Sequence, residues 1–465
     1  MVRRFAPAAL VALAGLAPAA ALAADAASRL QREALAGDGA FRLVESLTTE
    51  VGPRFAGTPG DAGAVAWATA RLRALGFPKV WTEPVSVPRW IRGEARAEIV
   101  APWPQKLAVL ALGGSVGTPP GGVEAAVVEV RDLAALAELP DAAVAGRIVF
   151  FSARMRRTAD GAGYGETVPI RSRGAAAAAA KGAVAVVIRS VATDANRLPH
   201  TGGTRYADDA PEIPAAALSV PDAELLGRQL RSGREVRLRL ELGCRREEDA
   251  TSANVLAEFP GRERPAEIVL VVAHLDSWDV GTGAQDNGTG VAVAIESARL
   301  AAAASEGAPR RTIRVLLTAN EEFGLSGGRA YPEAHAGEIA DHVVATEADS
   351  GAGRVLSFLT RFASEDSAAA AELGERLAAL GIPAGDGEAG GGADLSRLRP
   401  LGVPLVDLDQ DGTRYFDIHH TDNDTLDKID PADLRQVTAA FATVLDWAAN
   451  RPEPLRSRPP DPAEE

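Results

Sequence analysis

Cysteine is almost absent from this chain. A single cysteine, Cys244, in 465 residues excludes an intrachain disulfide framework. Histidine is scarce as well, with six in all, so any place where two fall together stands out. Lysine accounts for only four of the 49 basic residues (79, 106, 181 and 428), a bias of a GC-rich genome rather than of a function. Positive charge is in deficit overall. The net charge of −14 argues against a protein that grips phosphate backbones, so no nucleic-acid partner is expected. Beyond residue 23 no apolar run is long enough to span a bilayer. Gly and Pro, at 46 and 30, make about one residue in six, short of low-complexity or collagen-like composition. What remains, 46% apolar and 24% charged, is the composition of a globular protein with room for two or three domains.

The one long uncharged run is Phe5–Ala23, preceded by Arg3 and Arg4. It ends in Ala21-Leu22-Ala23, a small-residue cleavage pattern. An anchor helix would fit its length, but its alanines, Gly15, Pro7 and Pro18 make membrane transfer weak. Residues 1–23 therefore read as a signal peptide. The mature protein is expected to be secreted or periplasmic, with no membrane partner.

Residues 24–114 read as the first part of a catalytic domain. Val65, Ala68, Leu72 and Leu75 step by three and four before Gly76, which predicts an amphipathic helix with a glycine stop. Strand character over 80–100 is interrupted by Pro84 and Pro88. From 115 to 245 short apolar runs alternate with turns, and an Ala-rich helix, Arg173–Lys181, feeds a buried strand, Ala183–Ile188. This predicts an inserted β-rich domain. Residues 246–452 alternate strand and helix, with buried strands at Ile268–Ala273, Thr312–Thr318, from Val343, and at Val403–Leu408. Helices are predicted at Gly290–Ala304 and Ser364–Leu380. A last one starts at Asp430 as N-cap and Pro431 at N1, with Leu434, Val437, Phe441 and Leu445 as its stripe. Residues 453–465 read as a disordered tail. The alternation predicts an α/β/α sandwich around a mostly parallel sheet.

Ligands of open α/β sheets gather at the carboxyl ends of the strands. Those ends carry His274-Leu275-Asp276 with Asp286, then Asn320-Glu321-Glu322, then Glu347-Ala348-Asp349. His419-His420-Thr421 stands before the last helix. Imidazoles with carboxylates suit divalent metals, zinc above all. One metal needs three protein ligands. The five candidates His274, Asp286, Glu322, Asp349 and His420 suggest two metals sharing a carboxylate, holding a hydroxide and polarising a carbonyl. The spare carboxylate, Glu321, can move the proton from water to a leaving amine. By residue type alone, His419 and His420 cannot be separated.

The block AHLDSWDVGTGAQDNGTG at Ala273–Gly290 resembles the metal-binding block of M28-type zinc peptidases, and within them the carboxypeptidase Q-like (plasma glutamate carboxypeptidase-like) branch. The likeness extends to VGPRFAGTPG near the start, to IRSVATD and LPHTGG in the insert, and to YFDIHHTDNDTLDKID near the end. It covers residues 45 to 450. The resemblance implies two zinc ions per subunit. His274 would bind one, Asp286 would bridge both, and Glu322, Asp349 and His420, the histidine next to Thr421, would complete the set. Glu321 would be the general base, and Asp276 would orient the His274 ring. It further implies a cis bond at Asp286–Asn287, a protease-associated (PA) domain as the insert covering the cleft, and a homodimer. The implied activity is a metallo-exopeptidase acting on dipeptides or short peptides. An aminopeptidase on longer peptides is the alternative. A non-catalytic receptor or a single-zinc cyclase shares the architecture, but this chain keeps all five ligands and the base.

Three further residues are candidates for substrate contact: His200, Asp394 and His419. For His200 the plain alternative is a loop histidine. For Asp394 it is an N-cap of a helix around Leu395. His335 and His342 read as surface or packing residues.

Overall fold

A computed structural model describes residues 28–206, 210–455 and 458–459. The leader expected at 1–23 lies outside the described residues.

The α/β expectation is met by a seven-stranded sheet. In spatial order its strands are Lys79–Ile91, Arg245–Phe259, Arg311–Thr318, Arg264–His274, His342–Glu347, Leu405–Gln410 and Val355–Arg361. The third to sixth run parallel to one another, and the outer pairings are antiparallel. The four parallel strands therefore end together, at Thr318, His274, Glu347 and Gln410. Ile268–Ala273 is buried on both faces at the centre, which is why it reads as an unbroken apolar run. Helices Gly39–Glu50, Thr289–Ala304 and Pro431–Asn450 share one face and its core. Tyr331, Leu395 and Leu398 cover the other. Asp430 caps the last helix by accepting from the Ala432 N–H at 2.7 Å, with Pro431 following as expected.

Pro84 and Pro88 do not interrupt their strand as expected. Lys79–Ile91 is continuous because it lies at the sheet edge, where a missing N–H is tolerated, and its register slips only between Val87 and Arg89, around Pro88.

The inserted unit starts earlier than the expected boundary at 115. Its eight-stranded sheet opens with Ala95–Ala101, which pairs antiparallel with Arg237–Leu242. Ile91 and Arg245 are still partners in the first sheet, so the chain leaves and re-enters at one point. Gly93 marks this crossing. Its φ is +64°, and a Cβ there would stand 2.5 Å from the Gly243 carbonyl oxygen. The centre of the second sheet is parallel, through Val123–Val130, Ile148–Phe151, Ala185–Arg189 and Ala215–Leu218. Helices Gly174–Ala179 and Val220–Leu230 accompany it, so the unit is β-rich but not all β.

Two described residues of the expected tail are tied to the body of the chain. Leu455 is buried in the main core, and the Arg458 N–H donates to the Gly402 carbonyl at 2.9 Å. Among the described residues no helix is long and apolar enough to cross a membrane.

Candidate metal centre

The parallel strand ends bring His274, Asp286, Glu322, Asp349 and His420 into one cluster. His274 closes its strand, and its Nε2 lies 3.2 Å from Asp286 Oδ1 and 3.2 Å from Asp349 Oδ1. His420 Nε2 lies 3.2 Å from the other Asp286 oxygen, Oδ2, and 3.0 Å from Glu322 Oε2. Asp286 therefore divides its two oxygens between two imidazole-carboxylate pairs. The Asp286–Asn287 peptide is cis.

The ring tautomers follow from what the opposite nitrogens face. His274 Nδ1 lies 3.2 Å from the main-chain carbonyl of Asp276, and His420 Nδ1 lies 3.2 Å from that of Thr201. A carbonyl only accepts, so each Nδ1 carries the hydrogen and each neutral Nε2 offers a lone pair toward carboxylate oxygens. In that pose positive charge must lie between lone pair and anion, supplied by a proton on Nε2 or by a metal ion. Glu322 Oε1 is moreover buried without a hydrogen-bond partner. Two nitrogens, shared carboxylates and an orphaned oxygen fit a pair of zinc ions.

Electrostatics agree. Burial opposes charge on His420, but Glu322 and Asp286 outweigh it and lift its pKa to about 9. Burial also opposes charge on His274, yet Asp349 and the hydrogen-bonded carboxylates raise it well above the usual histidine range. Burial pushes the Glu321 carboxyl well up, helped by the Asp349 and Glu322 charges and resisted by His274. The surrounding carboxylates thus favour positive charge at both Nε2 positions.

Asp276 does more than orient a ring. Its Oδ1 is 3.5 Å from His274 Nδ1, while its two oxygens accept from the Glu321 N–H at 3.0 Å and the Glu322 N–H at 3.4 Å. One buried carboxylate thus ties the histidine strand to the Glu-Glu loop.

His419 stacks on His420 with ring centroids 3.5 Å apart and approaches Asp286 Oδ2 at 3.5 Å, but it has no second carboxylate partner. It lines the cleft wall with Tyr164 and Tyr415 around it. Burial and the adjacent His420 hold its pKa well below the usual value. His200 is 1% exposed and turned away from the cleft. Its Nδ1 meets the His419 carbonyl at 2.6 Å, and its N–H donates to Ser190 Oγ. It fastens the insert to the loop of the two histidines. Asp394 is buried behind the site and accepts from Thr318 Oγ1, while Ala393 occupies the cap position. It is neither the N-cap nor a cleft residue.

Sequence reasoning passed over Arg54, Asp424 and the insert's share of the site. Arg54 donates to the carbonyls of Leu275 at 2.6 Å, Thr282 at 2.8 Å and Gly283 at 2.8 Å, which fixes the loop before Asp286. Asp424 accepts from the Gln285 N–H at 2.7 Å and the Asp286 N–H at 3.1 Å. Both lie inside blocks singled out by resemblance, which is the signal that could have found them. A cavity of about 1100 Å³ runs over the cluster, walled on one side by Glu321, Glu322 and Asp349 and on the other by Tyr164, Arg171 and Tyr206 of the insert.

Known proteins are similar to this chain. Peptidase family M28 matches residues 254–445, the span that carries every clustered group. Carboxypeptidase Q of Mus musculus is 36% identical over 413 residues, covering 88% of this chain and 85% of that one. The Homo sapiens protein of the same name is 34% identical over 418 residues, covering 89% and 86%. A crystal structure of a peptidase M28 precursor from Shewanella amazonensis SB2B superposes with a TM-score of 0.92 at 45% identity, over 95% of this chain and 100% of that one. A zinc aminopeptidase from Bacillus subtilis matches with a TM-score of 0.63 at 20% identity, over 87% and 93%, a likeness of fold alone.

Proposed function

Because the chain belongs to peptidase family M28 and is a zinc metallopeptidase, we propose that it is a di-zinc exopeptidase of the carboxypeptidase Q type, hydrolysing dipeptides or short peptides. One observation carries the two-metal reading: Asp286 gives one oxygen to the His274–Asp349 side and the other to the His420–Glu322 side. His274 and Asp349 would hold one zinc, His420 and Glu322 the other, and Asp286 both. Zinc bound there supplies Lewis acidity toward the peptide carbonyl and the attacking water. Glu321 takes the proton from that water and hands it to the leaving amine. Its raised proton affinity suits a group that must both accept and return a proton, and Asp276 keeps its backbone in place. The insert acts as a PA-type cover. The cavity between the two units has the size of a small-molecule site, which favours short substrates. The leader at 1–23 supports a secreted or periplasmic setting.

The test is metal analysis of purified protein together with hydrolysis of one dipeptide in three forms: free at both ends, N-acetylated and C-amidated. Two zinc ions per chain and cleavage of the doubly free form alone are expected. Equal cleavage of the amidated form would make it an aminopeptidase. No zinc-dependent cleavage of any form would return the choice to receptor or cyclase.

A further inference from the structure

The insert puts one guanidinium on the cleft wall without an anion. Arg171 sits on the short helical turn Pro169–Ser172, is 8% exposed, and lines the same cavity as Asp286, Glu321 and Glu322. Its Nη2 donates to Tyr164 Oη and its Nη1 reaches the Thr201 carbonyl at a long 3.4 Å. Its Nε is buried with no partner. Other buried guanidiniums of this chain are matched: Arg92 by Asp279, Arg311 by Glu267 and Arg314 by Glu258. Arg54 is capped by four carbonyls. Among the described residues Arg171 has no carboxylate within ion-pair distance. A buried cation left this way is costly unless something it binds completes it.

The surroundings hold it in place. Gly202 has a φ of +132°, and a Cβ there would lie 2.3 Å from Arg171 Cζ. Tyr164, its hydroxyl partner, stands edge-on to His419 at 5.3 Å, and His419 Nε2 is 3.5 Å from Asp286. Arg171 is thus two side chains, Tyr164 and His419, from the carboxylate of Asp286. The opposite wall holds the carboxylates Asp286, Glu321, Glu322 and Asp349, while the insert's wall carries Arg171 and Arg205 alongside Asp160 and Glu212. Arg246, another cation of this cavity, is already met by Glu212 at 2.6 Å, and Arg205 is exposed.

We propose that Arg171 binds the C-terminal carboxylate of the substrate peptide, so that the insert measures the distance from scissile carbonyl to chain end. This rests on the exopeptidase reading above and adds the residue that makes it one. The guanidinium fork matches a carboxylate in two hydrogen bonds, which a C-terminal amide cannot reproduce with the same charge.

The experiment compares kcat/KM for a free dipeptide and its C-amide in the zinc-loaded enzyme, in Arg171→Gln, in Arg171→Lys and in Arg205→Gln. Melting temperature and zinc content are checked for each. The unaltered enzyme should prefer the free acid, and Arg171→Gln should collapse the acid-to-amide ratio by about 30-fold or more. Arg171→Lys should recover part of that ratio, having charge without the fork, and Arg205→Gln should keep it. A structural role would lower both substrates alike and leave the ratio intact, which overturns the proposal. So does a collapse in Arg205→Gln instead. If the unaltered enzyme cleaves acid and amide equally, the carboxylate proposal fails while the peptidase stands. If it cleaves neither, the peptidase reading itself fails and this one with it.

Discussion

Asp276→Asn isolates what the shared carboxylate does. In the native site one oxygen accepts from the Glu321 N–H at 3.0 Å and the other from the Glu322 N–H at 3.4 Å. The amide keeps one acceptor and turns an NH₂ toward the second N–H, donor against donor. Losing a charge-assisted hydrogen bond costs about 1.5–3 kcal/mol, and the Glu-Glu loop should move to relieve it. We expect kcat to fall about 10- to 100-fold, since misplacing a base by a fraction of an ångström is enough. The His274 ring is less exposed to the change. Its Nδ1 still has the Asp276 main-chain carbonyl at 3.2 Å, which the substitution spares. Zinc affinity should therefore drop only about tenfold, the low end of what losing such a partner costs. The assay is a zinc titration of the apo variant against a competing chelator, alongside dipeptide kinetics. Loss of one whole zinc equivalent would make Asp276 a ligand and refute the reasoning. An unchanged kcat would refute the link to Glu321.

Glu321→Gln should retain both zinc ions and lose about 10²- to 10⁴-fold in kcat; an active, metal-loaded variant removes it as the base. Asp286→Ala should release both metals, read by elemental analysis, and retention of two would place the bridge elsewhere. His342 gives a pH prediction remote from the site. Burial lowers its pKa from 6.5 to about 4, while its Nε2 and Nδ1 meet Tyr331 Oη and the Glu338 carbonyl, both at 2.8 Å. The unfolded chain thus binds a proton at a pH where the folded one does not. Stability from this group is complete above pH 6.5 and declines by about 3 kcal/mol as pH falls to 4. Urea midpoints of the protein and His342→Gln at pH 7 and pH 4.5 check it: equal acid losses in both would exclude His342 as a source.

The fold was legible where burial imposed a period. Ile268–Ala273 is apolar without interruption because helices cover both faces, Thr312–Thr318 is buried throughout with Arg314 as its one charge, and the last helix announced itself by Asp430-Pro431 and its stripe. Edges were harder to read. Lys79–Ile91 carries prolines that argue against a strand only when both sides must pair, and which side of the sheet lacks a neighbour is not a local property. Val355–Arg361, the opposite edge, escaped notice because its buried residues, Val355, Phe358 and Arg361, step by three rather than alternating as those of a half-buried strand would. The insert boundary moved because Ala95–Ala101 is defined by its partner at Arg237–Leu242, far along the chain.

The same division runs through the site. Side chains that must be His, Asp or Glu are visible as residue types at strand ends, and all five came together. What positions them is often a main-chain carbonyl, which any residue supplies and no residue type betrays. Thr201 is the case in point. Its carbonyl sets the tautomer of His420 and its N–H donates to the His420 carbonyl at 3.0 Å, while the neighbouring His200 holds His419. His420 itself sits at a φ of +62°, a conformation a histidine keeps only where its surroundings impose it. The insert therefore supplies the hydrogen-bond acceptor that aims one imidazole at Asp286 and Glu322, so the unit that walls the cavity also shapes the candidate metal cluster beneath it. Removing it would take away that acceptor along with one wall of the cavity.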